Sequence, residues 1–226
     1  MRCLLLITGL AIGLGLPGCS KSDSSQAEIA KLRNQIPPLK IADADGAIRT
    51  ITLDQAMQWH ETREMGHESV AGDHDHSNID DHPVKPPLCL GVLAGYQAIR
   101  YATEQLYGTQ TPNAADFEIQ ISGPVDGAWD MMSLYRGVDA TFEGDVTLLS
   151  RESFVFTAKR VSEDRVIVFQ LREGFIPEKF YPLKNAGATC GDKQLSQLKQ
   201  QALLNLLSAT PKGCFEKIDH PGNERL

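Results

Sequence analysis

The spacing of apolar and polar residues predicts four helices in the main part of the chain. The clearest is Leu90 to Tyr107, where apolar side chains recur at helical spacing and Gly108 follows as a stop signal. Lys193 to Ser208 is amphipathic, with a broad face of leucines. Two shorter segments, Leu53 to His60 and Gly127 to Arg136, are also predicted to be helical.

Three segments rich in β-branched and aromatic residues predict strands: Phe117 to Ser122, Phe154 to Arg160 and Arg165 to Arg172. A short polar turn joins the last two, which indicates a hairpin. Helices and strands do not alternate strictly, so the pattern predicts a single α+β domain. We expect a largely antiparallel sheet packed against the helix from about Leu90 to Tyr107.

Small residues share one face of that helix. Gly91, Gly95, Ala98 and Ala102 recur at helical spacing. Small side chains in one stripe allow another backbone to come close. We therefore expect this helix to lie at the centre of the domain.

The first residues have the pattern of an export signal. Arg2 precedes an apolar run from residue 3 to 16, which is too short to span a hydrocarbon core of about 30 Å. The sequence LPGC that follows resembles the lipobox of bacterial lipoproteins, so Cys19 is the predicted site of lipidation. Pro17 is unusual there, which leaves ordinary signal cleavage as an alternative. Ser20 favours the outer membrane, with the domain on the periplasmic face of the cell envelope.

The remaining chain divides by composition. Residues 1–18 are the predicted signal peptide, and residues 19–50 are polar enough to predict a tether with a short helix at Gln26 to Gln35. Residues 51–215 form the predicted domain, with a His/Asp-rich insertion at about 61–87, and residues 216–226 form a tail. Hydrophobic residues make up 42% of the chain, enough for a real core. A formal net charge of −7 argues against nucleic-acid partners.

Histidine is concentrated in the insertion. The chain has six histidines, and five of them lie from His60 to His82. His74, His76 and His82 alternate with aspartates, and imidazole and carboxylate groups together suit divalent transition metals, zinc first. The same composition is also typical of a solvated acidic loop with no fixed partner. Both interpretations stay open from the residues alone.

Cysteine usage adds a second candidate ligand. After export and lipidation the chain retains Cys89, Cys190 and Cys214, and three thiols form at most one disulfide. A bridge between Cys190 and Cys214 would require a nearly extended return from the helix between them, so the pairing stays open. Cys89 lies at the predicted N-terminus of a helix, where the thiolate that binds metal is favoured.

Two segments flank the insertion: TLDQAMQWHE precedes it and LCLGVLAGYQAIRYATEQLYG follows it. They resemble the start of the domain of the FmdE-like family of formylmethanofuran dehydrogenase proteins. Trp59 and His60 match its aromatic-histidine pair, and Leu88 and Cys89 match its Leu-Cys step. The opening of the family's long helix is matched by Gly91, Gly95 and Tyr96.

Further segments extend the resemblance over roughly Ile51 to Leu183. ADFEIQISGPVDG is similar to the family's second motif, and SFVFTAKRVSEDRVIVFQLR to its closing hairpin. The resemblance implies an α+β core with a His/Cys metal centre, often zinc. On that pattern His60 and Cys89 are the implied ligands, and His82 is the best match for the family's second histidine.

The chain departs from the family at several positions. The whole His/Asp-rich insertion separates His60 from Cys89, and Leu90 stands where the family has proline. Pro124 replaces the cysteine of the second motif, so a ligand from that position is lost, although Asp126 is close by. No C-x-x-C pair is present, so the zinc finger that some members carry at the C-terminus is absent.

The leading hypothesis is an envelope lipoprotein that captures or delivers a metal ion. His60 and Cys89 would bind the ion, with His82, while His74 and His76 belong to a loop that collects it. Expected partners are the membrane, through the lipid anchor, a transporter or metalloprotein that receives the ion, and a second copy of the chain.

Two further hypotheses compete with metal capture, and whether the protein is an enzyme stays open. A metal-dependent enzyme or small-molecule-binding protein would use the same centre, with Trp59, Tyr96 and Trp129 lining a pocket. A purely structural lipoprotein would use no metal. A Cys89–His60 nucleophilic pair shows no orienting third group in the sequence.

Overall fold

The computed structural model describes residues 21–67, 85–137, 148–189 and 191–219. The predicted signal peptide, Cys19, most of the insertion and the end of the tail lie outside these residues. The described helices are α1 Lys21–Arg33, α2 Leu53–His67, α3 Leu90–Tyr107, α4 Asp126–Arg136, α5 Phe180–Asn185, α6 Lys193–Ser208 and α7 Pro211–Cys214. The described strands are β1 Leu39–Ala42, β2 Ile48–Ile51, β3 Phe117–Ile121, β4 Val155–Arg160, β5 Arg165–Leu171 and β6 Phe215–Lys217.

The strands form two antiparallel sheets. One is the β1–β2 hairpin, and the other has the strand order β3-β4-β5-β6. The predicted hairpin is β4–β5, in which Val155 lies opposite Gln170 and Arg160 opposite Arg165. The described residues form a single compact α+β unit, as the sequence predicts.

Helix α3 lies at the centre of this unit and is buried along most of its length. Its glycine stripe faces α4. A Cβ atom built on Gly95 would lie 3.0 Å from the Ala128 Cα, and one on Gly91 would lie 3.3 Å from the Ala128 nitrogen. Any larger side chain at these two positions would push the helices apart. The prediction of a close backbone approach at this stripe is confirmed.

The opposite side of α3 packs on the four-stranded sheet through aromatic side chains. Tyr101 of α3 lies over Phe169 of β5, with ring centroids 4.7 Å apart. Phe169 in turn stacks on Phe156 of β4 at 5.4 Å. The buried residues of β4 alternate, as expected for a strand covered on one face, whereas β5 is buried on both faces from Val168 to Leu171.

The prediction of a polar tether is wrong for residues 21–50. This segment forms α1 and the β1–β2 hairpin, and Ile29, Leu39 and Ile41 are buried in the domain core. Helix α1 also packs against α6. A few well-spaced apolar residues suffice to attach the segment, although its average composition is polar.

Several boundaries also differ from those predicted. Helix α2 continues beyond His60 to His67, and β6 pairs with β5 inside what the sequence predicts as a tail. The sequence pattern does not predict helices α5 and α7, because each is too short to show a helical period. Among the described helices, none is long and apolar enough to cross a membrane.

Candidate functional site

Cys89 lies at the junction between an extended segment and α3. It is the N-cap residue of the helix, with extended backbone angles, and residues 85–89 before the helix are non-helical. Two consecutive prolines, Pro86 and Pro87, favour that extended entry. The sulfur lies near the backbone N–H groups of Val92 and Gly91 without making a side-chain capping hydrogen bond.

His60 reaches this sulfur from α2. The histidine is buried, with 3% of its surface exposed, and its ring is hydrogen-bonded to the Cys89 thiol. Its Nδ1 atom lies 2.7 Å from Oδ2 of Asp130 on α4. A carboxylate accepts hydrogen bonds, so Nδ1 is the donor, and the contact with Cys89 is left to Nε2. Helices α2, α3 and α4 thus bring the Cys89 thiol, the His60 ring and the Asp130 carboxylate into successive contact.

Arg63 continues this series of contacts toward the surface. It lies on α2, and its Nε atom is 3.3 Å from Oδ1 of Asp130, the oxygen that His60 does not use. Its guanidinium also lies 5.9 Å from the ring centroid of Trp59, which is 41% exposed. The two oxygens of Asp130 are therefore shared between an arginine and a histidine.

The surroundings of Cys89 favour its thiolate form. Burial alone would raise the pKa of the thiol, because the charged form loses hydration. The hydrogen bond from His60 and the attraction to that ring act in the opposite direction, as do the N–H groups of Val92 and Gly91. The lowering effects win, so the pKa of Cys89 lies below the ordinary thiol value.

The sulfur is also held by close packing. Gly127 of α4 leaves no room beside it, since a Cβ atom there would lie 2.8 Å from Sγ of Cys89. On another side, the backbone N–H of Cys89 donates to Sδ of Met57 at 3.3 Å. Helices α2, α3 and α4 therefore fix the position of Cys89 together.

A buried arginine anchors the segment that leads into Cys89. Arg33 of α1 donates from Nη1 to the Pro86 carbonyl at 2.7 Å and from Nε to Oδ1 of Asp54 at 2.6 Å. Lys85 lies 3.1 Å from the other oxygen of Asp54. The pKa of Asp54 lies below its ordinary value: burial raises it, but the hydrogen bonds from Arg33 and Lys85 lower it more.

The structure brings together only some of the residues singled out in the sequence. His60 and Cys89 meet, as the resemblance implies. His74, His76, His82 and Cys190 lie outside the described residues, and Cys214 is a free, buried thiol. Asp126, suggested by the second motif, is exposed at the start of α4.

Of the three aromatic residues suggested for a pocket, Tyr96 belongs to the core. It is fully buried. Its hydroxyl accepts from the Leu39 N–H at 3.1 Å and lies 2.9 Å from the Ile51 carbonyl. It therefore connects α3 to the β1–β2 hairpin rather than facing a ligand. Trp129 is partly buried and Trp59 is half-exposed on α2.

Sequence reasoning missed Asp130, which supplies the orienting third group that the Cys89–His60 pair lacks in the sequence. Asp130 lies 70 residues from His60, in a helix whose other charged residues look equally ordinary. One signal was present: Asp130 lies one helical turn after Gly127, the last residue of the segment similar to the family's second motif.

The described side chains contain no group of three histidine, cysteine, aspartate or glutamate residues placed to bind one ion. Comparison with protein-family models, curated proteins and solved structures found no match to this chain. The resemblance to the FmdE-like family therefore stays a prediction, carried by the quoted motifs alone.

Proposed function

We propose that the protein captures or delivers a transition-metal ion, zinc first, through Cys89 and His60. The observation that carries this proposal is the contact between these two side chains, with Asp130 on the second ring nitrogen. Thiolate and imidazole are common ligands of protein-bound zinc. A zinc-binding histidine ordinarily donates its second ring N–H to a carboxylate, a backbone carbonyl or water, and Asp130 is a partner of this kind.

The remaining ligands would come from the His/Asp-rich insertion. Zinc takes about four ligands, and Cys89 with His60 accounts for two. His82 is the preferred third ligand because it is the nearest of the inserted histidines to Cys89 in the chain. His74 and His76 would collect ions and raise their concentration near the site. Affinity should fall below about pH 6, because imidazole must be neutral to bind.

The proposed location follows from the predicted lipidation of Cys19. The domain would lie on the periplasmic face of the envelope, with the outer membrane favoured. The ion is then cargo rather than a resident cofactor, and a transporter or another metalloprotein would receive it. A second copy of the chain is a further candidate partner.

Equilibrium dialysis against zinc, copper and nickel tests the proposal. The protein used is the chain from residue 19 with Cys19→Ser, called here the unlipidated form. We expect one tight site, which Cys89→Ser and His60→Ala each weaken by orders of magnitude. Cys214→Ala, which removes the other described thiol, is the control and should bind normally. Sub-stoichiometric binding of all three metals would contradict the proposal.

A deletion separates collection from ligation. Removing residues 66–81 takes away His74 and His76 but keeps His82, Cys89 and His60. If the segment only collects ions, the tight site persists while weaker binding disappears and uptake slows. Loss of the tight site in titration calorimetry would instead make the deleted histidines direct ligands.

Catalysis at the same centre is a second candidate function, and Asp130 is the observation that favours it. A thiol, a histidine and an orienting carboxylate form the arrangement of many cysteine nucleophiles. Such an enzyme also needs N–H donors directed at a developing oxyanion. Here the Cys89 N–H bonds to Met57, and those of Val92 and Gly91 lie at the sulfur itself. We therefore favour metal binding over a cysteine nucleophile.

Turnover of a simple activated ester separates the candidates. Saturable hydrolysis by the metal-free protein, abolished by Cys89→Ser and inhibited by zinc, would indicate a cysteine nucleophile. Turnover only in the zinc-loaded protein would indicate a metal-dependent enzyme. Tight zinc binding without turnover in either form is the result expected for capture or delivery.

A further inference from the structure

Asp130 lies between His60 and Arg63, and these two side chains differ in the hydrogen-bonding partner that they require. Oδ2 faces Nδ1 of His60 at 2.7 Å, and Oδ1 faces Nε of Arg63 at 3.3 Å. The carboxylate side chain is only 17% exposed, so water competes weakly for these oxygens. Arginine can only donate hydrogen bonds, whereas each nitrogen of a neutral imidazole can donate or accept.

We propose that the Arg63–Asp130 ion pair selects the ring tautomer of His60, holding the proton on Nδ1 so that Nε2 offers its lone pair to an ion bound by Cys89. Asp130 and Arg63 are positioning residues, since both act through His60. The inference rests on the proposed metal-binding function for its consequence. In the metal-free protein the ring also donates from Nε2 to the Cys89 thiolate, so the tautomer is measured where that thiolate is absent.

Asp130→Asn tests the selection of the tautomer, because an amide has one oxygen that accepts and one nitrogen that donates. Arg63 requires the accepting oxygen, which turns the amide NH₂ toward Nδ1 of His60. Nδ1 must then accept, so the ring proton moves to Nε2 and removes the lone pair needed by the metal. The closest isostere of aspartate thus favours the wrong tautomer.

The ranking of two variants tests the proposal. Zinc affinity of the unlipidated form should fall roughly tenfold in Asp130→Ala, which only releases the ring, and on the order of 100-fold in Asp130→Asn, which forces the wrong tautomer. A purely structural role for Asp130 gives the opposite order, because asparagine keeps the volume and hydrogen bonding that alanine loses. Asparagine binding zinc as tightly as alanine, or more tightly, would overturn the proposal.

Removing Arg63 supplies the matched rescue. In Asp130→Asn/Arg63→Met the amide is free to turn its oxygen toward Nδ1, so zinc affinity should recover by roughly tenfold over Asp130→Asn. Arg63→Met alone should weaken binding, since it releases one oxygen of Asp130. The same substitution then has opposite effects in the two backgrounds. No recovery in the double variant would overturn the role of Arg63.

Nitrogen-15 NMR of the histidine ring decides the matter without any metal. Cys89→Ala is the background, because the ring then has no thiolate to pair with. We expect the proton on Nδ1 when residue 130 is aspartate and on Nε2 when it is asparagine. A proton on Nδ1 in both proteins would refute tautomer selection. If the predicted shift is observed but no variant binds zinc, the inference stands and the metal-binding proposal fails.

Discussion

Gly127 of α4 lies directly against the sulfur of Cys89. A methyl group there would come within 2.8 Å of Sγ and within 2.8 Å of the Val92 backbone nitrogen. The backbone nitrogen belongs to the first turn of α3 and cannot move aside as a flexible side chain would. Because Gly127 has no side chain, α4 can approach α3 this closely and the thiol can occupy this position.

Gly127→Ala should destabilise the fold and weaken zinc binding together. Overpacking of this kind costs about 1–3 kcal/mol in the free energy of unfolding, and alanine's higher helix propensity opposes the loss. Urea denaturation and zinc titration measure the two effects. Gly95→Ala, which meets the Ala128 backbone away from the sulfur, should lower stability with a smaller effect on zinc. Gly191→Ala, with its nearest contact at 3.7 Å, should change neither.

Arg33→Met should lower the free energy of unfolding by about 1–3 kcal/mol, because it leaves the Pro86 carbonyl without its donor and Asp54 without its buried partner. Lys85→Met is the matched control. Lys85 pairs with the same carboxylate but is half-exposed, so its loss should cost about 0–1 kcal/mol. Equal losses in the two variants would contradict a special role for the buried arginine.

The same ion pairs give stability a predictable dependence on pH. Asp54 has a lowered pKa in the folded protein. Its contribution is therefore present above the ordinary aspartate value of about 4 and is lost as the pH falls through the lower folded value. Arg33→Met should flatten this loss in urea titrations below about pH 4. An unchanged slope would mean that other carboxylates control the acid transition.

Tyr96→Phe should lower stability without changing zinc affinity. The hydroxyl satisfies the buried Leu39 N–H, so its removal should cost about 1–3 kcal/mol in the free energy of unfolding. The hydroxyl faces the β1–β2 hairpin rather than Cys89 and His60, the proposed metal ligands. If Tyr96→Phe reduced zinc affinity without changing stability, Tyr96 would have to belong to the proposed metal site.

Cys89 of the metal-free protein should react with iodoacetamide at lower pH than an ordinary thiol, whose pKa is about 8.5. The reason is the lowered pKa that follows from its contacts with His60. His60→Ala should move the midpoint of the rate upward. Cys214 is an internal control, since burial raises its pKa to about 12. Peptide mass mapping resolves the two sites, and a Cys89 midpoint that does not rise in His60→Ala would contradict the expectation.

The long elements can be predicted because their patterns repeat. The apolar spacing predicts helix α3 with its observed bounds, and the glycine stripe correctly indicates a close helix contact. The β4–β5 hairpin is equally clear from its two apolar segments. Residues 21–50 escape such a prediction because their attachment depends on a few positions, notably Ile29, Ile41 and the buried Arg33, within a polar average.

The candidate site likewise contains some residues that the sequence predicts and others that it does not. The motif around His60 and Cys89 can be recognised because the two residues stand beside helix signals. Asp130 and Arg63 cannot, since their roles arise only when α2 and α4 pack side by side. Charged residues on a helix look alike in sequence, and only tertiary contact distinguishes a positioning carboxylate from a solvated one.

Helix α1 begins at Lys21, and Ile29 is the first of its residues described as buried in the core. If Cys19 carries the lipid, nine residues separate it from that core contact, and eight of them belong to the helix. The domain would then be held near the bilayer by a short helix rather than by a long flexible chain. A partner that exchanges ions with it would have to come to the membrane surface.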